Sequence, residues 1–171
     1  MKITCKTIYD RKAFSAMSLV LRRTLRRRFD RLVNLYFWVV AALLVVSMWL
    51  SLDRTPLLIG NSAALLLLLA VWLKQDAINA FFAGRKLIPG AKECRTDFYP
   101  DRYEAVFSGI VTRWSYDRVL VLAETRDHIV LVLGKNHAQA YPKAGLTGGT
   151  AEELLRFLEQ RTGKTTQKIG R

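Results

Sequence analysis

Two stretches of the chain carry no charge. One runs from Leu32 to Leu52, between Arg31 and Asp53, and the other from Thr55 to Leu73, before Lys74. Each is roughly 20 residues, and at about 1.5 Å of rise per residue a helix of that length crosses the ~30 Å hydrocarbon core of a bilayer. Neither shows the polar stripe of a helix packed in a soluble protein. The pattern predicts transmembrane helices at about 34–52 and 56–73. Only a few residues, Ser51 to Thr55, connect them, so they run as antiparallel neighbours. Tyr36, Phe37, Trp38, Trp49 and Trp72 fall near the ends of these segments, where aromatic rings with a polar edge favour headgroup depth. Pro56 stands just inside the second helix, where its missing N–H costs nothing.

Outside the apolar stretches the periodicity changes twice. Lys2 to Tyr9 is rich in β-branched residues and reads as a short strand. From Asp10, a predicted N-cap, Phe14, Met17, Leu21, Leu25, Phe29 and Leu32 recur at three- and four-residue steps, which predicts one helical face. Beyond the second apolar stretch, Lys74 to Ala83 continues helical until Gly84 and Pro89-Gly90 stop it. From Cys94 onward the chain is β-rich. Strands are predicted at 96–99, 103–107, 111–115, 119–125, 129–133 and 138–141, separated by Pro100-Asp101, Ser108-Gly109, Arg126-Asp127 and Gly134-Lys135-Asn136. Gly145 to Gly149 reads as a loop. Thr150 caps a final helix with Glu152 and Glu153 in its first turn and an apolar face of Leu154, Leu155 and Leu158. A basic tail follows Gly163 and is expected to fray.

These elements predict an α+β membrane protein in which a two-helix transmembrane hairpin carries a small antiparallel β domain closed by a C-terminal helix. Its divisions are an N-terminal strand and basic amphipathic helix (1–33), the hairpin (34–74), a helical linker (75–91), the β domain (92–163) and the tail (164–171). Residues 2–9 are candidates for an extra edge strand of the β domain.

Charge adds orientation. Half of the residues are hydrophobic, yet the formal net charge is +13, so the two properties must be segregated along the chain. Ten lysines and arginines precede the first apolar stretch, from Lys2 to Arg31, and five follow the second, from Lys74 to Arg95; the connecting turn holds one arginine and one aspartate. The positive-inside rule then predicts both termini in the cytoplasm. The charged N-terminal stretch is too long for a cleaved signal peptide, and no small-residue cleavage site follows an isolated apolar core. Arg22, Arg23, Arg26 and Arg27 crowd the helix just before the first span. Contact with anionic lipid headgroups is the predicted use, worth about 1 kcal/mol per charge near the surface. The competing reading is that they enforce topology while the helix packs on the β domain. Nucleic acid is not an expected partner, because the run abuts the bilayer and lacks interleaved stacking residues.

Three short motifs carry a family resemblance. Phe98-Tyr99-x-Asp101, then Trp114-Ser115-Tyr116-Asp117-Arg118-Val119 with Glu124 beyond, then Tyr141-Pro142-Lys143 before a final helix resemble the C-terminal domain of YcxB-like bacterial membrane proteins. Those proteins also place a short strand and two transmembrane helices ahead of this domain, so the resemblance covers nearly the whole chain and implies the bacterial plasma membrane. More distantly, the strands closed by one helix resemble bacterial pleckstrin-homology-like (PH-like) domains. The resemblance implies a fold and topology, and no activity, cofactor or catalytic residue.

The residues themselves add little chemistry. His128 and His137 have no carboxylate or second histidine at ligand spacing, and neither metal nor catalytic use is expected. Cys5 and Cys94 fall in β segments on the cytoplasmic side and read as packed, reduced thiols, close to one another. No GxSxG, Walker A or GxGxxG motif occurs, and Gly145 to Gly149 is a weak phosphate-loop mimic. Trp114 and Tyr116 are two apart and would share one face of a strand, as core or as a ligand or partner surface; Lys143 is either a surface lysine or an anion contact. Asn61 and Ser62, polar within the second span, are candidates to bond Ser47 or a partner helix. With no charge inside the spans, a transport pathway is poorly supported. The expectation is a membrane-anchored cytoplasmic binding or regulatory module, not an enzyme, needing no cofactor, with lipid headgroups and a protein partner or a second copy as its contacts. The alternative is a structural subunit of a larger membrane complex.

Overall fold

A strand near the N-terminus organises the β unit. The computed structural model describes residues 3–85 and 93–170. Strand β1 (Ile3–Ile8) pairs antiparallel with β2 (Glu93–Phe98), in register from Ile3 opposite Phe98 to Ile8 opposite Glu93. Everything between these strands is inserted into one strand pair. Among the described residues that insertion holds α1 (Arg11–Arg23), α2 (Arg27–Leu50) and α3 (Thr55–Arg85). Helices α2 and α3 pack together as a hairpin, and both are long and apolar enough to cross a membrane. Almost none of their apolar length is buried within the described protein. Inside the hairpin Asn61 Nδ2 donates to Ser47 Oγ at 2.8 Å, as expected, whereas the Ser62 hydroxyl turns back to the Leu58 carbonyl. Helix α3 runs through Gly84 to Arg85; the stop expected at Pro89-Gly90 lies outside the described residues.

The remaining strands form two sheets. The first continues from β1 and β2 into β3 (Arg102–Phe107) and β4 (Ile110–Ser115). The β3–β4 turn is two residues, Ser108 (φ 48°) and Gly109 (φ 80°), both in the left-handed region that suits a tight hairpin. On the other side of β1 lies a two-residue strand, β8 (Leu146–Thr147), so β1 is not an edge strand along its whole length. The second sheet contains β5 (Val121–Glu124), β6 (His128–Gly134), β7 (His137–Pro142) and β9 (Gln167–Lys168) in the order β7-β6-β5-β9.

Packing follows from the alternation of side chains. Strand β6 reads as a continuous apolar run because both its faces are covered. Ile129 and Leu131 join Ile3, Phe98, Tyr103, Leu122 and Tyr141 in the core between the sheets. Helix α4 (Ala151–Thr162) closes that core with Leu154, Leu155 and Leu158. Its start is a capping box, in which Thr150 and Glu153 each bond the other's backbone N–H. The opposite face of β6, Val130 and Val132, packs with Ala13, Ala16, Met17, Leu19 and Val20 of α1. Helix α1 is in turn packed along α3, so the second sheet, α1 and the end of α3 form successive layers.

Several expectations change here. The helical face read from Phe14 to Leu32 is broken, because the chain turns at 24–26 between α1 and α2. The residues of α1 that approach the sheet most closely include the small Ala13 and Ala16, while Phe29 and Leu32 of α2 stay 67% and 65% exposed. Tyr116 does not share a strand face with Trp114: β4 ends at Ser115, and a 3₁₀ turn rotates Tyr116 into the core. The Gly145 to Gly149 segment is not a free loop, since 146–147 pair with β1. A Cβ on Gly145 would stand 2.2 Å from the Lys6 carbonyl oxygen, so glycine is required by close backbone approach. The tail is not frayed either. Strand β9 runs parallel to β5, and Ile169 is buried against α1.

Candidate functional site

The arginines singled out from the sequence divide into two structural groups. Arg22, on the last turn of α1, is an internal joint: its guanidinium reaches Asp76 of α3 at 2.9 Å and Asp30 of α2 at 3.4 Å. All three side chains are largely withdrawn from solvent, so one cation ties three helices together. Arg26, in the turn, donates from Nε to the Lys135 carbonyl at 2.9 Å and from its guanidinium to Asn136, fastening the bend to the β6–β7 turn. Arg23 and Arg27 are exposed. Arg23 gives one donor to the Gly170 carbonyl at 2.6 Å, and the Arg27 guanidinium makes no hydrogen bond or ion pair among the described residues.

Arg22, Arg23, Arg27 and Arg31 line one cleft of about 410 Å³ where α1 bends into α2. Its far wall is the β9 segment, which contributes Gln167, Lys168 and Ile169. Five cations face one carboxylate, Asp30, and that carboxylate is engaged by Arg22. Sequence reasoning missed Lys168 and Arg31 as members of this group. Lys168 was hidden because β9 is two residues long and reaches the cleft only through tertiary pairing; Arg31, four residues after Arg27 and so on the same helical face, was legible.

Aromatic residues lie beyond the cleft along α2 and α3. Trp72 Nε1 donates to Asn34 at 2.9 Å, and its ring stacks on Phe37 with centroids 5.2 Å apart, with Trp38 edge-on. Such a cluster suits a membrane interface. Arg31 lies three residues before Asn34 and Arg27 seven, about 4.5 and 10 Å along a helix rising 1.5 Å per residue. A headgroup layer is about 5–7 Å thick on each side of a bilayer, so with Asn34 at the hydrocarbon boundary Arg31 would lie within that layer and Arg27 a few ångströms beyond its aqueous edge. No family model and no curated protein sequence matches the chain.

The other sequence candidates are not brought together. Tyr116 is buried, with its hydroxyl 2.8 Å from the Tyr99 carbonyl and 3.1 Å from that of Arg102. Trp114 is half-buried on the edge strand, edge-on to the His137 ring at 5.1 Å. Lys143 donates to Glu124 at 2.7 Å and so anchors the end of β7 to β5. Larger cavities flank α1. One of about 630 Å³ is lined by Tyr9, Phe14, Met17, Leu21, Phe82 and His137, among others. Another of about 460 Å³ contains Arg11, Lys12, Arg126 and His128. Burial holds His128 below the usual histidine range, so its imidazole is neutral at neutral pH. Among the described residues no group of three or more His, Cys, Asp or Glu is placed to hold a metal ion.

The two cysteines lie diagonally across the β1–β2 pair, on the same buried face: Cys5 is opposite Thr96 and Cys94 opposite Thr7. Burial pushes the Cys5 thiol up to about 11 and raises Cys94 as well. A thiolate is the reactive form, so neither sulfur is activated.

Proposed function

We propose that the protein is a membrane-anchored, non-catalytic binding or regulatory module of the bacterial plasma membrane, with both termini and the β unit in the cytoplasm. The observation that carries this reading is the insertion of the apolar hairpin between β1 and β2. Two strands that pair along six residues must lie on one side of a membrane, and two crossings satisfy that where one would not. The tail, paired with β5, shares that side. The excess of arginine at the α1–α2 corner favours the cytoplasmic side. There the corner rests against anionic headgroups, and the β unit is held close beneath the leaflet for a protein partner.

We read the β unit as PH-like, since two sheets over one core closed by a C-terminal helix support that description. Membership of the YcxB-like family is proposed on the three sequence motifs alone.

The leaflet contact is tested with a spin label on Arg28→Cys, an exposed position outside the cleft, the native cysteines being buried and unreactive. In nanodiscs containing phosphatidylglycerol the label becomes less accessible to a water-borne relaxation agent than in phosphatidylcholine discs. High salt, which shortens the Debye length from about 10 Å at 0.1 M to about 3 Å at 1 M, reverses the change. Equal accessibility in both discs contradicts the reading.

A further inference from the structure

The cleft at the α1–α2 bend differs from a diffuse basic surface in having a wall delivered from far along the chain. Strand β9 is held by Ile169, whose side chain is buried against α1 and whose N–H donates to the Glu124 carbonyl at 2.8 Å. Arg23 clamps the next residue by bonding the Gly170 carbonyl. Together these contacts fix Lys168 across the cleft from Arg27 and Arg31. Those three cations have no hydrogen bond or ion pair among the described residues, although they share one concave site with a fourth, Arg23. The one carboxylate in the lining, Asp30, is engaged by Arg22, so the remaining like charges repel one another and the arrangement favours an anion in their midst. Guanidinium groups pair with phosphate oxygens through parallel N–H bonds, and the lysine supplies a point charge to the same group.

We propose that this cleft binds the phosphodiester headgroup of a single anionic phospholipid, and that the bound headgroup locks the C-terminal strand in place. The inference rests on the cytoplasmic, membrane-anchored reading above. A lipid is favoured over a free phosphate because Arg31 immediately precedes the apolar segment, so the site opens where headgroups are always present at high local concentration. Arg27 and Arg31 grip from α2, while Lys168 grips from β9. Occupancy therefore bridges the membrane hairpin and the tail, and any event that pulls the tail away from β5 also opens the site.

Hydrogen exchange of the full chain in nanodiscs tests this, read at the backbone amides of residues 166–170. Phosphatidylglycerol discs should slow exchange there about tenfold relative to phosphatidylcholine discs, as for a ligand at ten times its dissociation constant. The slowing should vanish in Lys168→Gln, an exposed substitution that leaves the fold intact, and in Arg27→Gln/Arg31→Gln. Inorganic phosphate added to phosphatidylcholine discs should not reproduce it. Slowing that survives in Lys168→Gln overturns the site in favour of non-specific attraction. Equal slowing by inorganic phosphate overturns the lipid assignment. No slowing, with the Arg28→Cys label still protected by anionic lipid, overturns this inference and leaves the leaflet contact standing. Loss of both effects removes the broader reading as well.

Discussion

At the scale of single residues, charge at the α1–α2 bend divides into structural and available groups, and sequence alone does not separate them. Arg22 and Arg27 stand five apart in one basic run, yet the first bridges three helices and the second faces open space. Replacing Arg22 with alanine leaves Asp76 and Asp30 without their partner, which costs about 2–3 kcal/mol. Arg27→Ala removes no internal contact and should stay within about 0.5 kcal/mol of the parent. Thermal unfolding of both variants in one detergent checks this, and equal losses would contradict it. The buried thiols give a second expectation. The unfolded chain releases the Cys5 proton near pH 9.0, whereas the folded protein holds it to about 11. The folded state binds more protons across that window, so stability is level below about pH 9 and declines toward pH 11. Burial raises Cys94 and Tyr9 in the same direction and deepens the decline. Melting temperature followed from pH 7 to pH 11 reads it, and a rise above pH 9 would be inconsistent with buried, protonated thiols.

At the scale of elements, local signals were strong and long-range ones weak. The two long apolar helices, the Asp10 and Thr150 caps and the six main strands follow from runs, alternation and turn residues close in sequence. The bend at 24–26 does not, because three consecutive arginines after Leu25 look like a continuing amphipathic helix, and only docking of α1 on β6 decides where it must turn. Tyr116 was misread for a related reason: alternation predicts a face only while the strand lasts, and this strand ends one residue earlier. Strands of two residues, β8 and β9, leave no periodicity to read. Their presence makes the tail structural. Ile169→Ala should destabilise the β unit by about 2 kcal/mol, the low end for truncating a buried isoleucine. Thr150→Ala, which removes half of the capping box, should cost about 1 kcal/mol. Both are measured as shifts in unfolding midpoint in the same detergent. A silent Ile169→Ala would mean that β9 is not docked in solution.

At the scale of the whole molecule, the arrangement is a β unit with a long apolar helical hairpin threaded through it. The hairpin leaves from one strand and returns to its neighbour, while α1 and the end of α3 pack as layers beneath the second sheet. Helix α1 joins the two parts: it packs on the second sheet, and Arg22 at its end ties it to α2 and α3. In the proposed topology this whole unit lies on the cytoplasmic side, with only the turn at Asp53 and Arg54 across the membrane. The direct measurement is labelling of single introduced cysteines in intact bacteria by a membrane-impermeant maleimide, with Cys5 and Cys94 silent because they are buried. Asp53→Cys, in the exposed hairpin turn, should label in intact cells, and Thr165→Cys, exposed in the tail, only after permeabilisation. Labelling of Thr165→Cys in intact cells, or failure of Asp53→Cys to label until the membrane is opened, would contradict the account.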